Sequence, residues 1–261
     1  MTIFQKRAGI TLFLMMAAAV PARSGELFYY NIAGSTVASL PLAPVYLGGS
    51  EANVTASSLS AVGLSPAWAC CQNGTGQLSV SGWSRSVPGG GLNTGVGASA
   101  YLQFSITAAT ATVQLAALDY TWFSTLNSDT FNGPDRLSIY LSFNNFATTD
   151  SLLDEVPIPN APPGTFRGPL FYFEDLSGYS INPGQTLSIR FIAWSDVAFW
   201  DAGAGFWNTQ SGNVNLNVSG VTVTPEPGSL ALLSAGIAAV IFSCKRARFR
   251  AAADSGPPKS A

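Results

Sequence analysis

The sequence predicts an all-β protein, an antiparallel β-sandwich or jelly roll, and three observations predict it. About ten short runs rich in β-branched and aromatic residues follow one another between residues 26 and 223, several alternating apolar with polar. Gly, Pro, Asn and Asp separate these runs, as turns require. No helical period interrupts them, and no unit recurs at a fixed spacing of about 20–50 residues, so neither a propeller nor a solenoid is expected.

The strands are read in order. Glu26–Ile32 is β-branched and aromatic and makes the first. Residues 33–52, rich in Gly, Pro and Ala, make a loop, and Asn53–Ser60 a short strand. Gln77–Trp83 sets Leu78 and Val80 on one face, Ser79 and Ser81 on the other. After the break at Pro88–Gly91, Ala100–Thr107 points Leu102, Phe104 and Ile106 inward. Thr110–Phe123 starts with Val113, Leu115 and Ala117 in phase and continues with Leu118, Tyr120 and Trp122 in the opposite phase, which predicts a β-bulge near Ala116–Ala117. Asn132–Asp135 is a turn, and Arg136–Phe146 aligns Leu137, Ile139, Leu141 and Phe143. Four prolines keep Val156–Gly164 out of a sheet interior and make it a surface loop. Thr165–Leu176 and Thr186–Ser195 are strands around the turn at Asn182–Gly184. Asn213–Ser219 alternates most clearly, and Gly220 permits a second bulge before Val221 and Val223.

The 261-residue chain has no histidine. That excludes Ser-His-Asp and Cys-His nucleophilic catalysis and any His-containing metal site. From Ser24 to Gly228 there is no lysine either, which excludes Schiff-base and Ser-Lys mechanisms. Four arginines there face thirteen acids, a net charge of −9, against −2 for the whole chain. So acidic a segment is a poor nucleic-acid binder and is repelled by anionic lipid.

Carboxylates remain as candidates for chemistry. Asp129 and Asp135 share one turn region, Asp150, Asp154 and Glu155 one loop, and Glu174 and Asp175 are neighbours that a strand would send to opposite faces. No spacing sets a pair about 5–10 Å apart across a cleft, as a glycosidase needs, so no catalytic residue is assigned and the chain is read as non-catalytic. Oxygen-rich loops leave structural Ca²⁺ open, although no spacing matches an EF-hand; no metal ligand and no other cofactor is assigned. Adjacent Cys70 and Cys71 match no zinc ligand set. Trp200-Asp201 and Trp207-Asn208 flank Ala202–Gly205. Their rings and polar groups suit glycan stacking and hydrogen bonding, with core filling as the competing reading.

The two ends are of a different composition. Lys6 and Arg7 precede the apolar run Ala8–Val20, and small residues follow, with cleavage expected after Ala22 or, as second choice, after Ser24. This is the pattern of a secretory signal peptide, residues 1–22. At the other end, Pro225-Glu226-Pro227 is a stiff spacer, since each ring fixes φ and extends the residue before it. An uncharged apolar run follows. Ser229–Cys244 is sixteen residues, roughly 24 Å as one C-terminal transmembrane helix. That is short of the ~30 Å hydrocarbon core, so it spans with local thinning and snorkelling flanks. Lys245, Arg246, Arg248 and Arg250 close it and hold that end in the cytoplasm.

Motif, short apolar helix and basic cluster, in that order, resemble the PEP-CTERM sorting signal of Gram-negative bacteria. The resemblance covers about the last 30 residues and departs from the usual pattern in the added tail Ala251–Ala261. It implies removal of the tail by exosortase at Pro225, Glu226 and Pro227, a transient inner-membrane anchor, then release to the cell surface or extracellular matrix with exopolysaccharide. The strand order is also loosely similar to the uncharacterised β-sandwich ectodomains of such proteins, which implies no activity. The expected organisation is therefore a signal peptide at 1–22, a β-sandwich ectodomain at 23–223, a sorting and anchor segment at 224–250, and a disordered tail at 251–261. The alternative function is a glycan-binding module, and the least favoured is a carboxylate-dependent hydrolase.

Overall fold

A computed structural model describes residues 25–32, 40–66, 77–83, 96–124, 134–158, 167–194, 203–207 and 215–223. Two antiparallel sheets pack face to face as a β-sandwich, nine strands in one and six in the other. The nine-stranded sheet runs β2 (Pro44–Tyr46), β1 (Gly25–Tyr30), β15 (Leu216–Val223), β8 (Thr112–Ser124), β14 (Ala204–Trp207), β6 (Gln77–Ser81), β5 (Ser65–Pro66). On the opposite edge of β8 lie β11 (Arg167–Asp175) and β12 (Ser180–Ile181). The six-stranded sheet runs β10 (Ser151–Pro157), β9 (Arg136–Ser142), β13 (Thr186–Trp194), β7 (Tyr101–Ala108), with β3 (Val54–Ala56) and β4 (Ser60–Val62) both on the far edge of β7. Among the described residues a single 3₁₀ turn, Ser50–Ala52, is the only helical element. None of their helices is long and apolar enough to cross a membrane, and the expected anchor lies outside them.

Period-2 alternation fills the space between the sheets. Leu102, Phe104 and Ile106 point inward from β7, and Leu187, Ile189, Phe191 and Ala193 from β13, all fully buried. Phe191 joins the sheets, its ring centroid 5.0 Å from Phe206, 5.5 Å from Tyr120 and 6.4 Å from Trp122. Phe104 does the same at the other end, 6.1 Å from Phe28 and 5.2 Å from Tyr30. Two tyrosines also reach across. Tyr46 accepts the Ala56 N–H at 2.7 Å, and Tyr30 donates to the Ser57 carbonyl at 2.5 Å.

The phase shift in β8 is a real bulge. Ser219 sits opposite Ala117 but Gly220 opposite Leu115, so Ala116 is the extra residue. Both expected bulges are one feature, with Gly220 on the partner strand. A Cβ at Gly220 would stand 2.5 Å from the Gln114 carbonyl oxygen and 3.1 Å from Leu27 Cδ1, so only glycine fits there without a shift.

Four expectations need correction. The expected loop at 33–52 includes β2 and the 3₁₀ turn; Pro44 starts an outermost strand, where its missing donor costs little. Asn53–Ser60 is not one strand. The chain leaves the β7 edge at Ser57–Leu59, where Ser57 Oγ accepts the Ser105 N–H at 2.9 Å and Leu59 bridges to Leu42. Arg136–Phe146 ends early: Ser142 Oγ accepts the Phe146 N–H at 3.0 Å, a turn follows with Asn145 and Phe146 at positive φ, and Phe143 is exposed. Val156 and Pro157, expected in a loop, close the edge strand β10, so Asp154 and Glu155 lie on a strand. A bulge at Leu153 had hidden its alternation.

Candidate functional site

Of the four residues singled out for glycan binding, β14 carries Trp207, whose backbone pairs with Gln77 on β6. Trp200, Asp201 and Asn208 lie outside the described residues, as do Cys70, Cys71, the sorting motif Pro225-Glu226-Pro227 and the cluster Lys245, Arg246, Arg248 and Arg250. Phe206, next to Trp207, belongs to the core, its ring 5.1 Å from Trp122 and 6.1 Å from Tyr120.

The acids fall into three environments. Glu155 is ion-paired to Arg136 at 2.8 Å, and Asp150 Oδ2 accepts the Val96 N–H at 2.9 Å. Glu174 turns into the inter-sheet space and Asp175 outward, as neighbours on a strand must. Tyr120 donates to Glu174 Oε1 at 3.0 Å. Burial raises the Glu174 carboxyl above its ordinary range, and the negative charge of Asp154 on β10 raises it further, against the lowering effect of the Tyr120 hydrogen bond. The same burial, with Glu174 beside it, pushes the Tyr172 hydroxyl up to about 12.

The third environment is the outward face of the nine-stranded sheet. Register sets one residue from each of five neighbouring strands in a row: Val45, Tyr29, Asn217, Asp119 and Phe173. Strands lie ~4.8 Å apart, so the row spans roughly 19 Å. Phe173 is 63% exposed, and Phe171, two residues along and opposite Thr121, is 59% exposed. The next row holds Glu26, Ser219, Ala117 and Asp175. Burial raises the Asp119 carboxyl above its ordinary range and Glu26 adds to it. One Asp119 oxygen is buried with no hydrogen-bond partner among the described residues. Beside Glu26 an open cleft of about 340 Å³ runs along Leu47–Ser50 and Gly220–Thr222.

On the opposite sheet, Arg190 is enclosed rather than displayed. Its guanidinium lies 3.9 Å from the Tyr101 ring centroid and 4.0 Å from that of Phe146, and its Nε donates to Gln103 at 2.6 Å. Among the described residues no three of Cys, Asp or Glu are grouped to hold a metal ion.

Sequence reasoning missed the row because its members come from five strands far apart in the chain. Only the exposed pair Phe171 and Phe173, in phase on one strand, left a local signal. No known protein family, curated protein or solved structure matches this chain.

Proposed function

We propose that this chain is an exported, non-catalytic β-sandwich, cleaved by exosortase at Pro225-Glu226-Pro227 and then retained at the cell surface or in the extracellular matrix among exopolysaccharide. The observation that carries the reading is the order of its ends: a basic and apolar leader, an acidic lysine-free middle, then the rigid motif, the apolar run and the basic cluster.

The fold is compatible with such handling. Gly25 pairs with Gly220, so both ends of the sandwich leave from one rim. Val223 is the last paired residue, opposite Thr112, and the motif starts two residues later. A spacer so close to a folded wall gains from stiffness, since proline limits the chain's freedom to fold back. In the same reading the sandwich is a jelly roll, with first and last strands adjacent and the chain passing between sheets from β7 to β8 and from β8 to β9.

The test is Glu226→Ala combined with Pro227→Ala. The variant is expected to stay in the inner membrane with its tail, while the parent chain reaches the cell surface. Equal surface delivery of both defeats the proposal.

A further inference from the structure

The outward row on the nine-stranded sheet combines two kinds of surface that a structural role does not require. Phe171 and Phe173 stand more than half exposed, two residues apart on one face of an edge strand, and contiguous exposed apolar surface rimmed by polar groups marks an interaction site. Between them and the half-buried Tyr29 lie the carboxyl of Asp119 and the amide of Asn217, one acceptor beside one donor-acceptor. Aromatic surface next to such polar groups fits a sugar, whose rings are apolar on their faces and hydroxylated at their edges.

Charge narrows the choice of sugar. The charged groups of these two rows, Glu26, Asp119 and Asp175, are all acids. Burial raises the Asp119 carboxyl above its ordinary range, and the negative charge of Glu26 adds to the shift, so a cation placed between the two relieves that repulsion. Of the described arginines, Arg136 and Arg190 belong to the other sheet and are engaged there, and Arg167 starts β11 opposite Ser124, six residues before Phe173 and outside these two rows. A polyanion is repelled by this face, and an ammonium group is attracted to it.

We infer that this face binds a polysaccharide carrying free amino groups, with ammonium groups at Asp119 and Glu26 and sugar rings against Phe173 and Phe171. The inference rests on the exopolysaccharide association proposed above and names the polymer class.

The test uses the purified full-length chain in detergent on four immobilised probes: a glucosamine oligomer, the same oligomer fully N-acetylated, a neutral glucan and polylysine. The glucosamine oligomer is expected to bind, more weakly as salt screens the charges. Phe173→Ala and Asp119→Asn are each expected to weaken that binding about tenfold, as loss of a central contact does. Asp150→Asn makes the same charge change beside β10 in the other sheet and is expected to leave binding unchanged. Phe173→Ala is expected to leave polylysine binding unchanged.

Equal binding of the acetylated oligomer or the glucan overturns the inference, and so does no binding to the glucosamine oligomer. Equal losses from Asp119→Asn and Asp150→Asn with none from Phe173→Ala reduce it to adsorption on an acidic protein and also overturn it. A thermal melt shows that each variant is folded; should Phe173→Ala unfold, Phe171→Ala takes its place. Failure on these probes leaves export and cleavage untouched, because those are judged from the chain's location and its C-terminus.

Discussion

Glu174 is buried between the sheets with its carboxyl against Tyr120 and Asp154. Its raised pKa fixes the sign of a pH effect. Below the ordinary carboxylate range both folded and unfolded chains hold this proton, and the group costs nothing. As pH rises, the unfolded chain releases the proton first, so stability falls until pH passes the raised folded value. Glu174→Gln keeps an acceptor for Tyr120 and carries no charge. It is expected to flatten that fall and raise the melting temperature at neutral pH, read from thermal melts across the acid range. An unchanged pH profile counts against the assignment. Tyr46 gives a second residue-scale prediction. Tyr46→Phe leaves the Ala56 N–H without its 2.7 Å acceptor. An orphaned donor of this kind costs about 1–3 kcal/mol, measurable by denaturant unfolding.

Among the elements, β8 and β13 hold the sandwich together. β8 pairs with β15, β14, β11 and β12, and its inward rings Tyr120 and Trp122 meet Phe191 of β13. Phe191→Ala is expected to cost about 3–5 kcal/mol through the cavity it leaves. Domains of this size are stable by only about 5–15 kcal/mol, so a large drop in the denaturant midpoint is the readout. Gly220→Ala drives a methyl group into the Gln114 carbonyl opposite the β8 bulge and is expected to cost about 1–3 kcal/mol. That bulge was legible in the sequence, because one inserted residue inverts the phase of every later side chain and the inversion at Ala117–Leu118 is visible. The inward sets of β7 and β13 were legible for the same reason. The outer faces were not. Ser138, Ser188 and Arg190 alternate as solvent-facing residues should, yet all are buried, because Trp194, Asn145 and the rings of Tyr101 and Phe146 lie against them. The breaks at Ser57–Leu59 and Ser142 were hidden too, since a serine hydroxyl standing in for a backbone partner leaves no mark on periodicity.

For the whole molecule, the sequence carries two messages with different physics. The fold is written in period-2 alternation and turn residues; the longer strands β1, β6, β7, β8, β9, β11, β13 and β15 could be read from them, and the short or bulged β2, β5, β10, β12 and β14 could not. In the proposed reading the address is written at the ends, in apolar length and cationic flanks. The candidate binding row belongs to neither pattern. Tyr29, Asn217, Asp119 and Phe173 become neighbours only through the pairing of β1, β15, β8 and β11. That pairing is long-range, and a linear reading cannot reach it.

The intact mass of the chain recovered from outside the cell tests export and processing most directly. The account predicts a species that starts near residue 23 and ends at the Pro225-Glu226-Pro227 motif, without Lys245–Arg250. A surface species that retains Lys245–Arg250, or a full-length soluble chain confined to the cytosol, would contradict it.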